Sequence, residues 1–348
     1  MTGYDAGPVA ALRRIAFLLE RGREDTYKVR AFRSAAATLL PLSEEEVGAA
    51  VREGTLTDLP GIGASSARVI TDAWHRRTPE RLARLEAEHV GPLVPGGRAL
   101  RAALRGDLHS HSDWSDGGSP IEEMAFTAME LGHEYLVLTD HSPRLTVAHG
   151  LSAERLARQL GVVDAVNAHL APDAAPGAFR LLKGIEVDIL EDGRLDQTDA
   201  MLDRLDLRVA SVHSKLRMDA DAMTRRMVAA VRNPRTNVLG HCTGRLVTGN
   251  RGTRPPSQFH AREVFEACRD HGVAVEINSR PERRDPPTAL LELARDVGCL
   301  FSIDSDAHAP GQLDFLDHGC ARAEAAGIEA ERIVNTWPVD RLLAWANR

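Results

Sequence analysis

Nine side chains of metal-binding type crowd the last two thirds of this sequence: His109, His111, Asp116, His141, Glu186, His213, His241, Asp306 and His308. Imidazole and carboxylate together suit zinc, manganese or iron(II), and the lack of cysteine among them argues against a thiolate structural zinc site. His109 and His111 are one residue apart, so on a strand both point to the same face, and Asp306 and His308 repeat that spacing. One histidine at a strand end is more often a hydrogen-bonded core residue than a ligand. Six of the 14 histidines at such ends have no packing reason to replace Leu or Val. Nine donors exceed what one four- to six-coordinate ion uses, so two or three divalent ions (Zn, Mn or Fe) sharing a bridging carboxylate are expected, with Glu186 as the bridge. Water bound between such ions can fall from a pKa of 15.7 to about 7, which supplies hydroxide without a protein base. Phosphate-ester hydrolysis fits this chemistry better than oxidation, for which no redox-cofactor motif is visible.

Other polar residues follow the same strand ends. Lys215 and Arg245 each lie within four residues of one of the nine and are the candidate catalytic side chains that grip phosphate, with Arg217 and Arg280 as weaker candidates. The chain has 40 arginines and only three lysines, so each arginine also carries an ordinary reading as a solvated surface residue. Asp140 and Asp188, beside candidate ligands, read as groups that orient them.

These residues need elements to position them. From residue 106 onward, short runs rich in Val, Ile and Leu lie near residues 108, 135–139, 181–187, 207–212, 238–240, 273–277 and 300–303, each followed by a helical segment. Strand and helix in alternation predict an α/β domain with a parallel sheet, and seven units predict a closed or nearly closed barrel. Six of the seven runs end in or lead into metal-binding residue types, and the C-terminal ends of barrel strands are where an active site is built. Residues 9–90 instead carry apolar positions at helical spacing (Leu12, Ile15, Ala16, Leu19; Val69, Ile70, Ala73). A Gly- and Pro-rich stretch at 91–97 is turn-forming. The expected organisation is a helical domain at 1–95, a linker at 96–105 and a barrel at 106–345.

Composition sets the bounds. At 348 residues, with 43% hydrophobic and 27% charged residues, the chain has room for two or three soluble domains. No run approaches the length of a membrane span and no secretory leader is legible, so a cytoplasmic location with no membrane partner is expected. Four widely spaced cysteines without a CxxC pair read as reduced thiols, mostly core. Residues 1–105 hold 16 basic and 13 acidic side chains against 27 and 37 in the remainder, so the small N-terminal part is the basic one. Bound cations would offset much of the acidity beyond it.

Taken in order, DLHSHSDWSDG, LTDHS, GIEVDI, SVHSK, GHCTGR, EINSRPER and SDAH resemble the PHP (polymerase and histidinol phosphatase) family over about residues 106–345. That resemblance implies a distorted (β/α)7 barrel with a trinuclear site. His109, His111, Glu186 and Asp306 would hold one ion, Glu186, His213 and His241 a second, and Asp116, His141 and His308 a third. In the N-terminal part, LPGIGASSARVI at 59–70 places Gly61 and Gly63 in a tight turn between helices, where backbone N–H groups can bind phosphate without reading base sequence. The segment resembles a helix-hairpin-helix motif, and YKVRAFRSAAATL at 27–39 is similar to the N-terminal domain of family X DNA polymerases, whose bacterial members carry a C-terminal PHP domain. The resemblance implies DNA binding through Lys28, with Arg30 and Arg33 as companions. It also places Val69 where relatives carry a Schiff-base lysine, so lyase chemistry is not expected. Ten to fifteen residues between the two regions are too few for a polymerase palm, and no DNA synthesis is expected.

Three functions follow. The first is a hydrolase acting on DNA ends as a 3'-5' exonuclease or 3'-phosphatase, the second a small-molecule phosphatase of the histidinol-phosphatase type, and the third a noncatalytic DNA-binding adaptor. A complete ligand set weighs against the third. The Arg-, Gly- and Pro-rich stretch 250–258 would form a rim around either kind of substrate.

Overall fold

Apolar residues three and four apart fold the N-terminal part into helices, because that spacing puts them on one stripe that must be buried. In the computed structural model, which describes residues 4–89, 91–170, 178–249 and 252–348, these are α1 (Gly7–Arg21), α2 (Thr26–Leu39), α3 (Glu44–Glu53), α4 (Ala64–Trp74) and α5 (Glu80–Glu88). Leu12, Ile15, Ala16 and Leu19 of α1 and Val69, Ile70 and Ala73 of α4 are buried, which is the stripe seen in the sequence. Ser43 starts α3 with a reciprocal cap: its hydroxyl accepts from the Glu46 N–H at 3.3 Å and its own N–H donates to Glu46 Oε2 at 2.7 Å. Between α3 and α4, Gly61 has φ of 74°, and a Cβ there would lie 3.2 Å from the Ser34 Cβ. Gly63 caps α4, its N–H donating to Ser66 Oγ at 3.0 Å. These helices make up the first of two compact units, Met1–Leu93.

The second unit, Val94–Arg348, opens with α6 (Arg98–Ala103). This corrects the expected linker at 96–105: Leu100 and Leu104 are buried in the same core as the barrel helices, so the segment is anchored by apolar burial. Seven strands follow: β1 (Gly106–Ser110), β2 (Tyr135–Leu138), β3 (Arg180–Asp188), β4 (Leu207–Ser211), β5 (Val238–Leu239), β6 (Ala274–Asn278) and β7 (Leu300–Asp304). All neighbours are parallel and their order is the chain order. β1 and β7 approach closure through a parallel bridge between Ser110 and Ala307, with the His111 N–H donating to the Ala307 carbonyl at 2.8 Å. The result is a nearly closed seven-stranded barrel.

Helices α7 (Ile121–Glu130), α8 (Ala153–Leu170), α9 (Asp199–Leu202), α10 (Ala220–Val231), α11 (Ala261–Asp270), α12 (Thr288–Val297), α13 (Leu316–Ala325) and α14 (Val339–Ala346) complete the unit. Leu108, Val137, Leu182, Val209, Val238 and Ala274 share one apolar cluster with Val334, Trp337 and Leu342. Strand alternation carries that face upward: two and four residues beyond Leu182 come Gly184 and Glu186, two beyond Val209 comes Ser211 and then His213, and two beyond Ala274 comes Glu276. The polar site is therefore the continuation of the apolar face toward the strand ends. Cys242, Cys268, Cys299 and Cys320 are all buried and free. Among the described residues, no helix is long and apolar enough to cross a membrane.

Candidate metal centre

Glu186 sits at the middle of the site, with its two carboxylate oxygens facing different imidazoles. Oε2 lies 3.3 Å from His109 Nε2, 3.6 Å from His111 Nε2 and 2.9 Å from His141 Nδ1. Oε1 lies 3.1 Å from His213 Nε2 and 2.8 Å from His241 Nε2. Asp306 Oδ1 joins the first set, 4.0 Å from His109 Nε2 and 3.4 Å from His111 Nε2. A third set lies beyond His141, where Asp116 Oδ1 is 3.4 Å from His141 Nε2 and 3.3 Å from His308 Nε2. All nine residues from six strand ends are thus brought together. Asp306 itself has φ of 51°, a left-handed conformation costly for a non-glycine residue and tolerated where the surroundings hold it.

The donors fit divalent ions by an independent criterion. His109 Nε2, both nitrogens of His111, His141 Nδ1, His213 Nε2, His241 Nδ1 and Glu186 Oε2 are buried without a hydrogen-bond partner. A buried polar atom left unmade costs about 1–3 kcal/mol, so this many together points to a missing common partner. Ligand atoms of three groups also lie within 4.8 Å of one another: His109, His111 and Asp306; His141, Glu186 and His213; and His111, Asp116, His141 and His308.

Electrostatics within the cluster are strong. Burial would raise the Glu186 carboxyl, yet the imidazoles of His213, His109 and His141 hold it well below the usual carboxylate range. Burial opposes the imidazolium of His109, but Glu186, Glu276 and Asp306 outweigh it and raise that ring. His111 goes the other way, pushed to about 3 by burial and by the His308 and His141 rings. Beneath the ligands, burial raises Asp107 to about 6, and burial with the nearby Glu276 and Asp107 charges raises Asp304 to about 7.

A surrounding shell fixes the rings. Asp188 Oδ1 is 2.5 Å from His213 Nδ1, and Glu276 Oε1 is 2.5 Å from His109 Nδ1. With its proton on Nδ1, each ring directs a lone pair from Nε2 into the cluster. Asp140 is buried and accepts from the Ser112 N–H at 2.8 Å and from the Ser112, Ser115 and Gln159 side chains. Glu276 was not among the sequence candidates because its strand is the one run that does not end in a metal-binding type. Its place two residues above Ala274 on the inward face was the available signal.

The cationic residues divide differently from expectation. Arg245 does not reach the ligands: its Nε donates to the Arg283 carbonyl at 3.1 Å and its Nη2 to the Arg284 carbonyl, so its fork is spent on backbone. Lys215 is exposed, two residues past His213, with φ of 53° and no side-chain hydrogen bond or ion pair among the described residues. The arginines beside the cluster are Arg280, whose Nη1 is 2.8 Å from His308 Nδ1 and 3.2 Å from the Asp306 carbonyl, and Arg283, whose Nε donates to Asp306 Oδ2 at 3.0 Å. Arg283 lay inside the quoted EINSRPER motif but was not singled out. Of the expected rim at 250–258, residues 250 and 251 lie outside the described residues.

In the helical unit, Lys28 is exposed and pairs with Glu24 one turn back at 2.6 Å, and Arg30 is exposed. Arg33 is committed internally: Nε and Nη2 meet Glu20 Oε1 and Oε2 at 3.0 and 2.7 Å. That bidentate pair removes Arg33 as a free phosphate contact. Val69 is buried, 3% exposed, so the position aligned with the Schiff-base lysine is core.

Comparison with known proteins places these motifs. Residues 107–280 match the PHP domain model, and residues 6–78 match a helix-hairpin-helix domain. The DNA polymerase/3'-5' exonuclease PolX of Bacillus subtilis is 36% identical over 245 residues, covering 70% of this chain and 41% of that protein. The chain therefore spans about two fifths of that relative's length. A probable phosphatase of Thermoanaerobacter sp. is 27% identical over 241 residues, covering 66% of this chain and 89% of that protein. Among solved structures, the histidinol phosphate phosphatase of Lactococcus lactis aligns over 65% of this chain and 95% of that chain, with 18% identity and a TM-score of 0.46, a likeness too slight to argue from.

Proposed function

The chain belongs to the PHP domain family and is a metal-dependent phosphoesterase; from that premise we propose that it hydrolyses phosphate esters at DNA ends, as a 3'-5' exonuclease or a 3'-phosphatase. One conjunction supports DNA as the substrate: a chain with a helix-hairpin-helix domain at 6–78 is also 36% identical over 245 residues to a protein named as a DNA polymerase/3'-5' exonuclease. Three ions would be held, the first by His109, His111, Glu186 and Asp306, the second by Glu186, His213 and His241, and the third by Asp116, His141 and His308. Bound there, they would supply a hydroxide nucleophile at neutral pH and neutralise the phosphoryl oxygens.

The residues of the chain do the positioning. Glu276 and Asp188 keep the protons of His109 and His213 on Nδ1, away from the ligand lone pairs. Arg283, anchored at Asp306 through Nε, turns its remaining donors to a phosphoryl oxygen, and Arg280 does so from the His308 side. Lys215, exposed past His213, meets the substrate backbone further out. In the helical unit, backbone N–H groups in the first turn of α4, which follows the Gly61–Gly63 turn, and the side chains of Lys28 and Arg30 hold DNA phosphates without sequence preference.

The test is hydrolysis of 3'-labelled gapped DNA beside p-nitrophenyl phosphate and histidinol phosphate, with manganese or zinc, for the wild type and for a Lys28→Glu, Arg30→Glu variant. Nucleotide or phosphate release from DNA that falls in the variant, with turnover of the small esters unchanged, supports the proposal. Phosphate release from the small esters with none from DNA makes the protein a small-molecule phosphatase instead.

A further inference from the structure

Asp116 is the odd ligand of the nine. Its side chain is 33% exposed, whereas the next highest, His308, is 17%. It also sits on a loop without regular structure, residues 111–119, rather than on a strand. Nothing in the third set buries it in place, so its position depends on how the loop is held.

Two side chains one turn apart on α8 hold that loop. Gln159 is buried and donates through Nε2 to Asp140 Oδ2 at 2.6 Å, and Asp140 in turn accepts from Ser112 and Ser115 at the base of the loop. Arg155 acts on the crown: Nη2 donates to the Trp114 carbonyl at 2.5 Å, two residues before Asp116. Its Nη1 donates to the carbonyls of His149 and Gly150 at 2.5 and 3.3 Å. Those carbonyls belong to the loop that leaves the ligand His141, and the Gly150 side of it is tied back by the Leu151 N–H donating to the His141 carbonyl at 2.7 Å. One guanidinium therefore joins the loop carrying Asp116 to the loop that begins at His141. The remaining member is tied from the other side, where the Gly118 N–H donates to the His308 carbonyl at 2.7 Å.

We propose that Arg155 is a positioning residue that sets the affinity of the third ion by fixing the Asp116 loop against the His141 loop. It touches neither ion nor substrate. Its partners are neutral carbonyls, so what its planar fork contributes is geometry: two directed donors, one to each loop. Glu186 and His109 lie on β3 and β1, His111 at the start of the loop is tied by its N–H to the Ala307 carbonyl, and Glu276 and Asp188 orient His109 and His213, so the first two ions do not depend on Arg155. The inference rests on the three-ion reading above.

The experiment is a manganese(II) titration, followed by electron paramagnetic resonance, of the chelator-stripped full chain as wild type, Arg155→Gln, Arg155→Lys and Asp116→Asn. Wild type should bind three ions, and Asp116→Asn should lose one, which identifies the third. Arg155→Gln should bind two ions as the wild type does and that third ion about tenfold more weakly, the low end of what outer-shell partners contribute. Arg155→Lys, able to reach one carbonyl at a time, should fall between. Turnover of Arg155→Gln should recover at raised manganese with KM for substrate unchanged. A third-ion affinity within twofold of wild type overturns the proposal, as does equal weakening of all three ions, which would make Arg155 a support of the whole barrel. Fewer than three ions in the wild type overturns the three-ion reading itself and shows without any variant.

Discussion

Replacing Glu276 by glutamine changes no volume and tests how the centre holds its ligands. Glu276 Oε2 accepts from the His241 N–H at 2.5 Å and from Asn278 Nδ2 at 3.2 Å, while Oε1 faces His109 Nδ1 at 2.5 Å. Two fixed donors demand that a glutamine turn its oxygen toward His241 and Asn278. Its NH2 group then faces His109 and can only donate, so Nδ1 must become the acceptor and the ring proton moves to Nε2. That proton occupies the lone pair aimed at Glu186 and Asp306. Loss of an outer-shell carboxylate costs 10–100-fold in metal affinity, about 1.4–2.7 kcal/mol. Glu276 and His109 are fully buried, so solvent does not soften the effect. Calorimetric titration of chelator-stripped Glu276→Gln with manganese should show the first ion weakened by that factor at an unchanged fold by circular dichroism. Binding within twofold of wild type would refute the tautomer argument.

Three further outcomes follow from the geometry. His133 is buried with both ring nitrogens unpartnered, and burial, reinforced by Arg101, pushes its pKa to about 3 from an ordinary 6.5. The folded state takes this proton less readily than the unfolded, so the associated stability is complete above pH 6.5 and lost as pH falls toward 3; between pH 7 and 5 it amounts to about 2 kcal/mol. In urea unfolding at both pH values, His133→Leu should lose about that much less than wild type, and equal losses would contradict the assignment. Gly61→Ala should destabilise the helical unit by about 1–2 kcal/mol through its left-handed backbone, with Ser34 adding crowding, while Gly63→Ala, with open space around it, should cost less in a thermal melt. Arg283→Gln should raise KM for a phosphate ester about tenfold or more, as loss of a charge-assisted hydrogen bond does, whereas Arg245→Gln should lower stability with KM within about twofold.

The convergence of the candidate ligands was legible because a barrel puts strand ends together, so residue type at a strand end is a spatial statement. His109 and Asp306 are 197 positions apart in sequence but meet because β1 and β7 close the sheet. Glu276 was missed by reading only the last residue of each run, when the alternation from Ala274 already pointed it inward. Arg245 shows the opposite failure. Sequence proximity to His241 says where its Cα lies but not where a long side chain turns, and the bend at 283–284 offered carbonyls that satisfy it. Arg33 was lost in the same way to Glu20, thirteen residues back on the preceding helix. The segment 96–105 looked like a linker because the Gly- and Pro-rich stretch 91–97 runs into it, yet Leu100 and Leu104 had the four-residue spacing of a buried helical face.

The most direct test of the central claim is turnover of 3'-labelled gapped DNA by the full chain before chelation, after chelation and after manganese is returned, beside Glu186→Gln. Glu186 faces five imidazoles with its two oxygens, Oε2 toward His109, His111 and His141 and Oε1 toward His213 and His241. Turnover should vanish with the ions, return with manganese in the wild type, and stay at least a thousandfold lower in Glu186→Gln, about 4 kcal/mol of lost transition-state stabilisation. Turnover that survives chelation, or a Glu186→Gln protein that works when manganese is restored, would contradict the account.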